Sequence, residues 1–201
     1  MTFADRIIEF NRNLSLVDIE LPRGILAMNP FRGENEKEID RIMSKFYKKY
    51  YSDNNQRKMI LGINPGRFGA GATGIPFTDT KRLESECGIE PPDFSSHEMS
   101  SVFIYDMINK FSDPEEFYSE YYFNSICPLG FVKQKDNAKY VNYNFYDDAK
   151  LRDAVTPFII DTLKQQTDLG CSADKVAIMG SGKNYNFARK INDEHELFGE
   201  L

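Results

Sequence analysis

Three short apolar runs constrain this chain most. "KMILGINP" (58–65), "YYFNSICPLGF" (121–131) and "KVAIMGSG" (175–182) each end in a turn. They read as buried strands. Helical patterns stand around them. Ile39, Ile42, Met43, Phe46 and Tyr50 recur at helical spacing over 36–51. "SSHEMSSVFIYDMINKF" sets Ser95 and Glu98 at capping-box spacing. "DPEEFYSEY" sets Asp113 as N-cap before Pro114. A helix over 147–167 is expected to bend or break near Pro157, and "KNYNFARKIN" reads as the helix after the third run. "FADRIIEFNRNL" reads as a short amphipathic helix at the start. Strands alternating with helices predict a parallel sheet with helices on both faces, and a site beyond the carboxyl ends of the strands. The loops starting near Asn64, Pro128 and Ser181 are therefore the candidate site loops.

The remaining composition narrows the class. A chain of 201 residues with 41% hydrophobic residues suffices for one domain, 1–201, with a sizeable core. No apolar run approaches the ~20 residues of a membrane span. "MTFADRIIEF" carries Asp5 and Glu9 and does not read as a signal peptide. Cys87, Cys127 and Cys171 are odd in number and far apart, with no C-x-x-C. That pattern speaks against a disulfide framework, a zinc site or a four-thiolate cluster, and for reduced thiols in a cytoplasmic protein. A net charge of −6 argues against a nonspecific nucleic-acid binder, though not against a local basic face.

The first candidate loop contains Gly69-Ala70-Gly71-Ala72-Thr73-Gly74, which fits G-x-G-x-x-G letter for letter. A dinucleotide fingerprint needs its first glycine directly after the strand and a helix opening within it. Here the strand should end near Asn64, and Pro76 disfavours a helical Ile75, so no helix is expected between Gly69 and Gly74. "GSGKN" (180–184) lacks the first glycine and the hydroxyl residue of a phosphate loop. Asn64-Pro65-Gly66 instead sets a neutral amide at a strand end. Bare backbone follows, and then the aromatic ring of Phe77. An amide, an open backbone and a ring suit a planar hydrogen-bonding group such as a nucleobase.

"GINPGRFGAGATGIPF" resembles the first motif of the single-strand-selective monofunctional uracil-DNA glycosylases, a branch of the uracil-DNA glycosylase superfamily. The shared positions are Gly62, Asn64-Pro65-Gly66, Phe68-Gly69, Thr73-Gly74 and Pro76-Phe77. "FNSICPLGF" resembles the segment whose asparagine reads the base, at Asn124, and "MNPF" (28–31) resembles an Asn-Pro step before the first helix of the fold. The resemblance implies a three-layer αβα sandwich around a four-stranded parallel sheet. Three of those strands are visible in the sequence. The family's second catalytic motif, a histidine followed by proline after the last strand, is not matched. The histidines are His97 and His195, and Glu196 follows the latter. With the fourth strand also missing, the expectation is a C-terminally incomplete domain, because a bare sheet edge is a poor stopping point.

The resemblance further implies hydrolysis of the N-glycosidic bond of a flipped uracil in DNA, single- or double-stranded, as a step of base excision repair. Asn64 would orient the water, and Asn124 would pair with the uracil edge. Phe77 would stack on the base. Ile63, Gly66 and Phe68 complete the expected substrate-binding set, with backbone N–H groups near Ile63 and Phe77 facing the base oxygens. Gly66 is expected to leave open space that admits 5-substituted uracils. Arg67, Lys81, Arg82, Lys133, Lys135, Lys139 and Lys183 fall on the loops at the site and are expected to form a positive rim for phosphates. Of these, Arg67, Lys81, Arg82, Lys133 and Lys183 are the chosen DNA contacts. No lysine stands as a Schiff-base nucleophile, so no lyase step, no cofactor and no metal are expected, and the protein is expected to be a monomer. Asp79 reads as a loop-stabilising acid, and the two histidines as surface or capping groups. The alternative from the missing histidine motif is a nucleobase-binding module that has lost catalysis. The near-match at Gly69–Gly74 supports only weakly a nucleotide-dependent small-molecule enzyme.

Overall fold

The computed structural model describes residues 1–135, 139–180 and 182–201. The first half runs α1 (Phe3–Leu14), β1 (Ile25–Met28), α2 (Glu36–Tyr50), β2 (Arg57–Gly62), α3 (Ala70–Thr73), α4 (Thr80–Ser85) and α5 (Met99–Phe111). The second half runs α6 (Pro114–Glu120), β3 (Tyr121–Ser125), β4 (Gly130–Gln134), β5 (Tyr140–Tyr143), α7 (Ala149–Asp168), β6 (Cys171–Ile178) and α8 (Lys183–His195).

Short polar side chains set the helix starts by capturing backbone N–H groups the helix cannot satisfy. Thr2 and Asp5 form a reciprocal capping box on α1. Asp79 caps α4 at Arg82 N, and Asp113 caps α6 with Pro114 at its first position. Asp148 accepts from Lys150 N and Leu151 N at the start of α7. The helix expected from Ser95 begins instead at Met99, with Glu98 at the N-cap and no side-chain cap bond. Its Ser96 is occupied elsewhere, exchanging hydrogen bonds with Thr80 at 2.8 and 3.1 Å. Helix α7 runs unbroken through Pro157. The proline is exposed, and its missing N–H removes the helical bond to the Asp153 carbonyl without ending the helix. The expectation that no helix opens between Gly69 and Gly74 is also corrected. One helical turn, α3, forms there and stops at Gly74 with φ 71°.

The parallel sheet has three strands in the order β3-β2-β6. Leu61 lies beside Asn124 in β3 and beside Ile178 in β6, so the carboxyl ends of the three strands converge. Among the described residues the parallel sheet thus shows three of the four strands the resemblance implies. At its outer edge a single parallel bridge joins Lys175 to Glu200. A second, antiparallel sheet, β1-β4-β5, was not foreseen. "YYFNSICPLGF", read as one strand, contains β3, a turn at Pro128 and the start of β4. Lys133 consequently stands on β4 rather than in a loop after the second strand. The core gathers the apolar faces of α1 and α2 around Met59 and Leu61 of β2, with Tyr51, Tyr118 and Tyr122 fully buried between helices and sheet. The expected apolar stripe of α2, Ile39, Ile42, Met43, Phe46 and Tyr50, is buried throughout.

Candidate active site

A cleft of ≈ 300 Å³ opens at the convergent strand ends. Gly62, Ile63, Asn64, Pro65 and Gly66 line it from the loop after β2, with Pro76 and Phe77 above. Ser125, Asn142, Asn144, Met179 and Glu98 complete it from four other segments. A larger groove of ≈ 700 Å³ lies between α7 and α8, but holds none of these strand-end residues.

Asn64 is fixed by the segment that follows β5. Its Oδ1 accepts from Phe145 N at 3.2 Å, and its Nδ2 donates to the Tyr143 and Pro65 carbonyls at 3.4 and 3.3 Å. An amide so gripped keeps its orientation without water. Phe77 lies across Gly62. A Cβ on that glycine would come within 2.7 Å of the Phe77 ring, so only glycine admits the aromatic face there. The Phe77 backbone has φ 55°, a left-handed conformation that a bulky residue adopts under constraint from its surroundings. The constraint is visible. The Ser101 hydroxyl donates to Phe77 O at 2.8 Å and accepts from Asp79 N at 3.0 Å. Phe123 packs edge-on against the ring at 5.2 Å.

Asn124 does not line this cleft. It stands in a narrow recess of ≈ 20 Å³ that shares Pro65, Ala70, Pro76 and Ser125 with it. Asn124 Nδ2 donates to the buried Tyr122 hydroxyl and Oδ1 accepts from Ser125 N, both at 2.8 Å. A primary amide has two N–H groups and two lone pairs, so one donor and one acceptor remain.

The other expected residues are dispersed. Phe68 is 47% exposed, outside the cleft, with the Arg67 guanidinium 4.5 Å over its ring. Arg67 also donates to Tyr140 O at 2.9 Å. Lys133 lies 4.9 Å from the Tyr143 ring, and Lys183 5.8 Å from that of Tyr146. Lys81 is exposed on α4. Arg82, expected as a phosphate contact, is half-buried, its guanidinium 3.4 Å from Asp79 and 3.2 Å from His97. Ser181, named as the start of the third loop, lies outside the described residues. Among the described residues no histidine lines the cleft.

Sequence reasoning missed Glu98, Asn142 and Asn144. The two asparagines alternate with aromatics in "YVNYNF", a two-residue period that puts both on one side of an extended chain. Glu98 had been assigned to a capping box. Its carboxylate instead lies over Gly66 and Gly69. Burial holds its carboxyl above the ordinary glutamate value, Asp79 adds to the rise, and a hydrogen bond from Ser100 opposes it. The room at Gly66 is thus occupied, which corrects the expectation of open space. Cys127, just past β3, is fully buried, and burial pushes its thiol up to about 12.

No helix among the described residues is long and apolar enough to cross a membrane. No curated protein matches the chain. Among solved structures, the crystal structure of wild-type SMUG2 from Pedobacter heparinus is similar over 100% of this chain and 85% of that one, at 49% identity and a TM-score of 0.95. The model of the uracil DNA glycosylase superfamily matches residues 48–195, the stretch that carries every strand of the parallel sheet and the whole cleft. The chain belongs to the uracil DNA glycosylase superfamily.

Proposed function

We propose that this protein hydrolyses the N-glycosidic bond of uracil in DNA, leaving an abasic site, with no lyase step. The observation that carries the reading is the placement of two asparagines at neighbouring strand ends with an aromatic ring against the strand between them in the sheet, at Gly62. Asn64 follows β2, Asn124 is the penultimate residue of the adjacent β3, and the Phe77 ring lies on Gly62, beside the Asn124 backbone. Family membership and the SMUG2 likeness support glycosylase chemistry.

The bond breaks through an oxocarbenium-like state with negative charge gathering on the departing base. The protein must orient water, hold the base and stabilise that charge. Asn64 orients the water as a hydrogen-bond partner. An amide does not take up its proton, so activation is weak. Pairing with Asn124 requires the recess to widen at Pro65 and Pro76, which it shares with the cleft, so that the base edge reaches in; the free acceptor of Asn124 then takes the uracil N3–H, and its free N–H donates to O4. Cytosine offers the reverse pattern and is rejected. Stacking on Phe77 contributes about 1–3 kcal/mol.

A labelled single-stranded oligonucleotide with one uracil tests the reading. Incubation with protein and then hot alkali should give scission that requires both protein and uracil. Asn64→Ala should lower excision by about 10²-fold, the scale of losing a contact that positions a reactant, while uracil-DNA binding survives. A second reading, a base-binding module without catalysis, draws on the absence of histidine from the cleft lining among the described residues. Binding to uracil-DNA with no scission at any enzyme concentration would select it.

A further inference from the structure

We infer that Glu98 is the wall of the cleft that limits which bases enter, by filling the room that Gly66 and Gly69 leave. The inference rests on the reading of this cleft as a base pocket. Both glycines lie in the loop after β2, where absent side chains would leave a hollow. The hollow is filled. A Cβ on Gly66 would stand 2.5 Å from Glu98 Oε1, and one on Gly69 would collide with both carboxylate oxygens. Asn142 closes the opposite side, its Nδ2 3.5 Å from the same point on Gly66.

The wall is built in rather than draped. Glu98 occupies the N-cap of α5, yet its side chain caps nothing. Its backbone N–H donates to Asp79 Oδ2 at 2.8 Å. The same Asp79 caps α4 and receives no solvent, and its own N–H donates to Ser101, which holds Phe77. One buried hydrogen-bond cluster thus positions both the platform under the base and the carboxylate beside it. A base seated on Phe77 with its edge toward Gly66 meets Glu98 first. Substituents on that edge compete with the carboxylate for space, and densely packed walls discriminate by the methylene.

The test compares oligonucleotides carrying uracil or 5-hydroxymethyluracil, with wild type, Glu98→Ala, Glu98→Asp and Glu98→Gln. Single-turnover excision is read on cleavable substrates. Dissociation constants are read on their 2′-fluoro counterparts, which resist hydrolysis. Wild type should favour uracil. Glu98→Ala should raise the preference for the 5-substituted base relative to uracil by about tenfold or more, and Glu98→Asp by less in the same direction. Glu98→Gln, equal in size and without charge, should keep the wild-type ratio. The wall is overturned if wild type processes uracil and the Ala and Asp variants, folded by thermal melt, keep its ratio. It is equally overturned if Gln shifts the ratio as far as Ala, since charge would then be the cause. Wild type that neither binds nor cuts uracil-DNA above undamaged DNA refutes the base-pocket reading itself, and the wall with it.

Discussion

Glu98 has a consequence for stability that is separate from selectivity. Its carboxyl is raised first by burial and then by Asp79, whose charge faces it. Arg82 and His97 are paired to Asp79 on its other side, and Arg67 turns away to Tyr140. A carboxyl whose folded value exceeds the ordinary 4.5 favours the fold only in its protonated form. Below about 4.5 the folded and unfolded chains both hold the proton and nothing is lost. As pH rises from there through the raised folded value the unfolded chain releases the proton first, and stability falls. Glu98→Gln mimics the neutral acid and should melt above wild type at pH 7.5, with the gap closing by pH 4. Melting curves across that range check it, and a gap independent of pH would show that ionisation is not the cause. Nothing in "SSHEMSS" signals this. Glu98 meets Gly66 and Gly69 only after about thirty intervening residues have folded back, a contact no local pattern encodes.

At the scale of elements, what the sequence shows is governed by how local the cause is. Helix starts follow from side chains within three residues, so Asp113–Pro114 and the α2 stripe were legible. The sheet β1-β4-β5 was not. "YVNY" is short, half polar and exposed on alternate residues, and its partner β4 hides behind the Pro128 turn. Asn64 and Phe77 were legible because a strand end and a run of glycines are local signals. Asn124 was named from the resemblance and not from a local pattern, and its separate recess depends on Pro65 and Pro76 from another loop. The entry to β2 shows a further non-local device. Arg57 opens the strand with its side chain fully buried, and both its terminal nitrogens donate to Asp53 at 2.8 Å. Its Nε donates to Tyr118 O at 2.9 Å, and the Phe3 and Tyr51 rings flank it at 5.8 and 5.5 Å. Asp53→Ala removes the charged partner and should cost about 1.5–3 kcal/mol in urea unfolding at pH 7. The Arg57 contact holds the Asp53 carboxyl below its ordinary value, so the loss should shrink as pH falls below about 4. An unchanged midpoint would mean that water substitutes fully for the carboxylate.

The proposed function sets a net charge of −6 against a polyanionic substrate. The arrangement of cations around the strand ends bears on this. Arg67, Lys133 and Lys183 each stand over an aromatic ring, those of Phe68, Tyr143 and Tyr146. They come from the loop after β2, from β4 and from the start of α8, and each meets a tyrosine of one segment, Tyr140, Tyr143 or Tyr146. Lys183 is 71% exposed and only loosely paired, 4.0 Å from Asp147. Cations beside rings offer phosphate contacts and stacking faces together. Binding should therefore weaken steeply with salt despite the acidic whole, because counterion release depends on the few phosphates contacted and not on net charge. Removing one contacting cation should reduce the slope of log K against log salt by roughly 0.7 on single-stranded DNA. Lys183→Ala and Arg67→Ala should each do so, and should weaken uracil-containing and undamaged strands alike, since phosphates carry no base information. Arg82→Ala should leave the slope unchanged, because its guanidinium is engaged with Asp79 and His97. Fluorescence anisotropy between 50 and 200 mM salt, about the range over which such contacts are lost, measures all three slopes. Equal slopes for wild type and the Lys183 and Arg67 variants would move the DNA path away from this face.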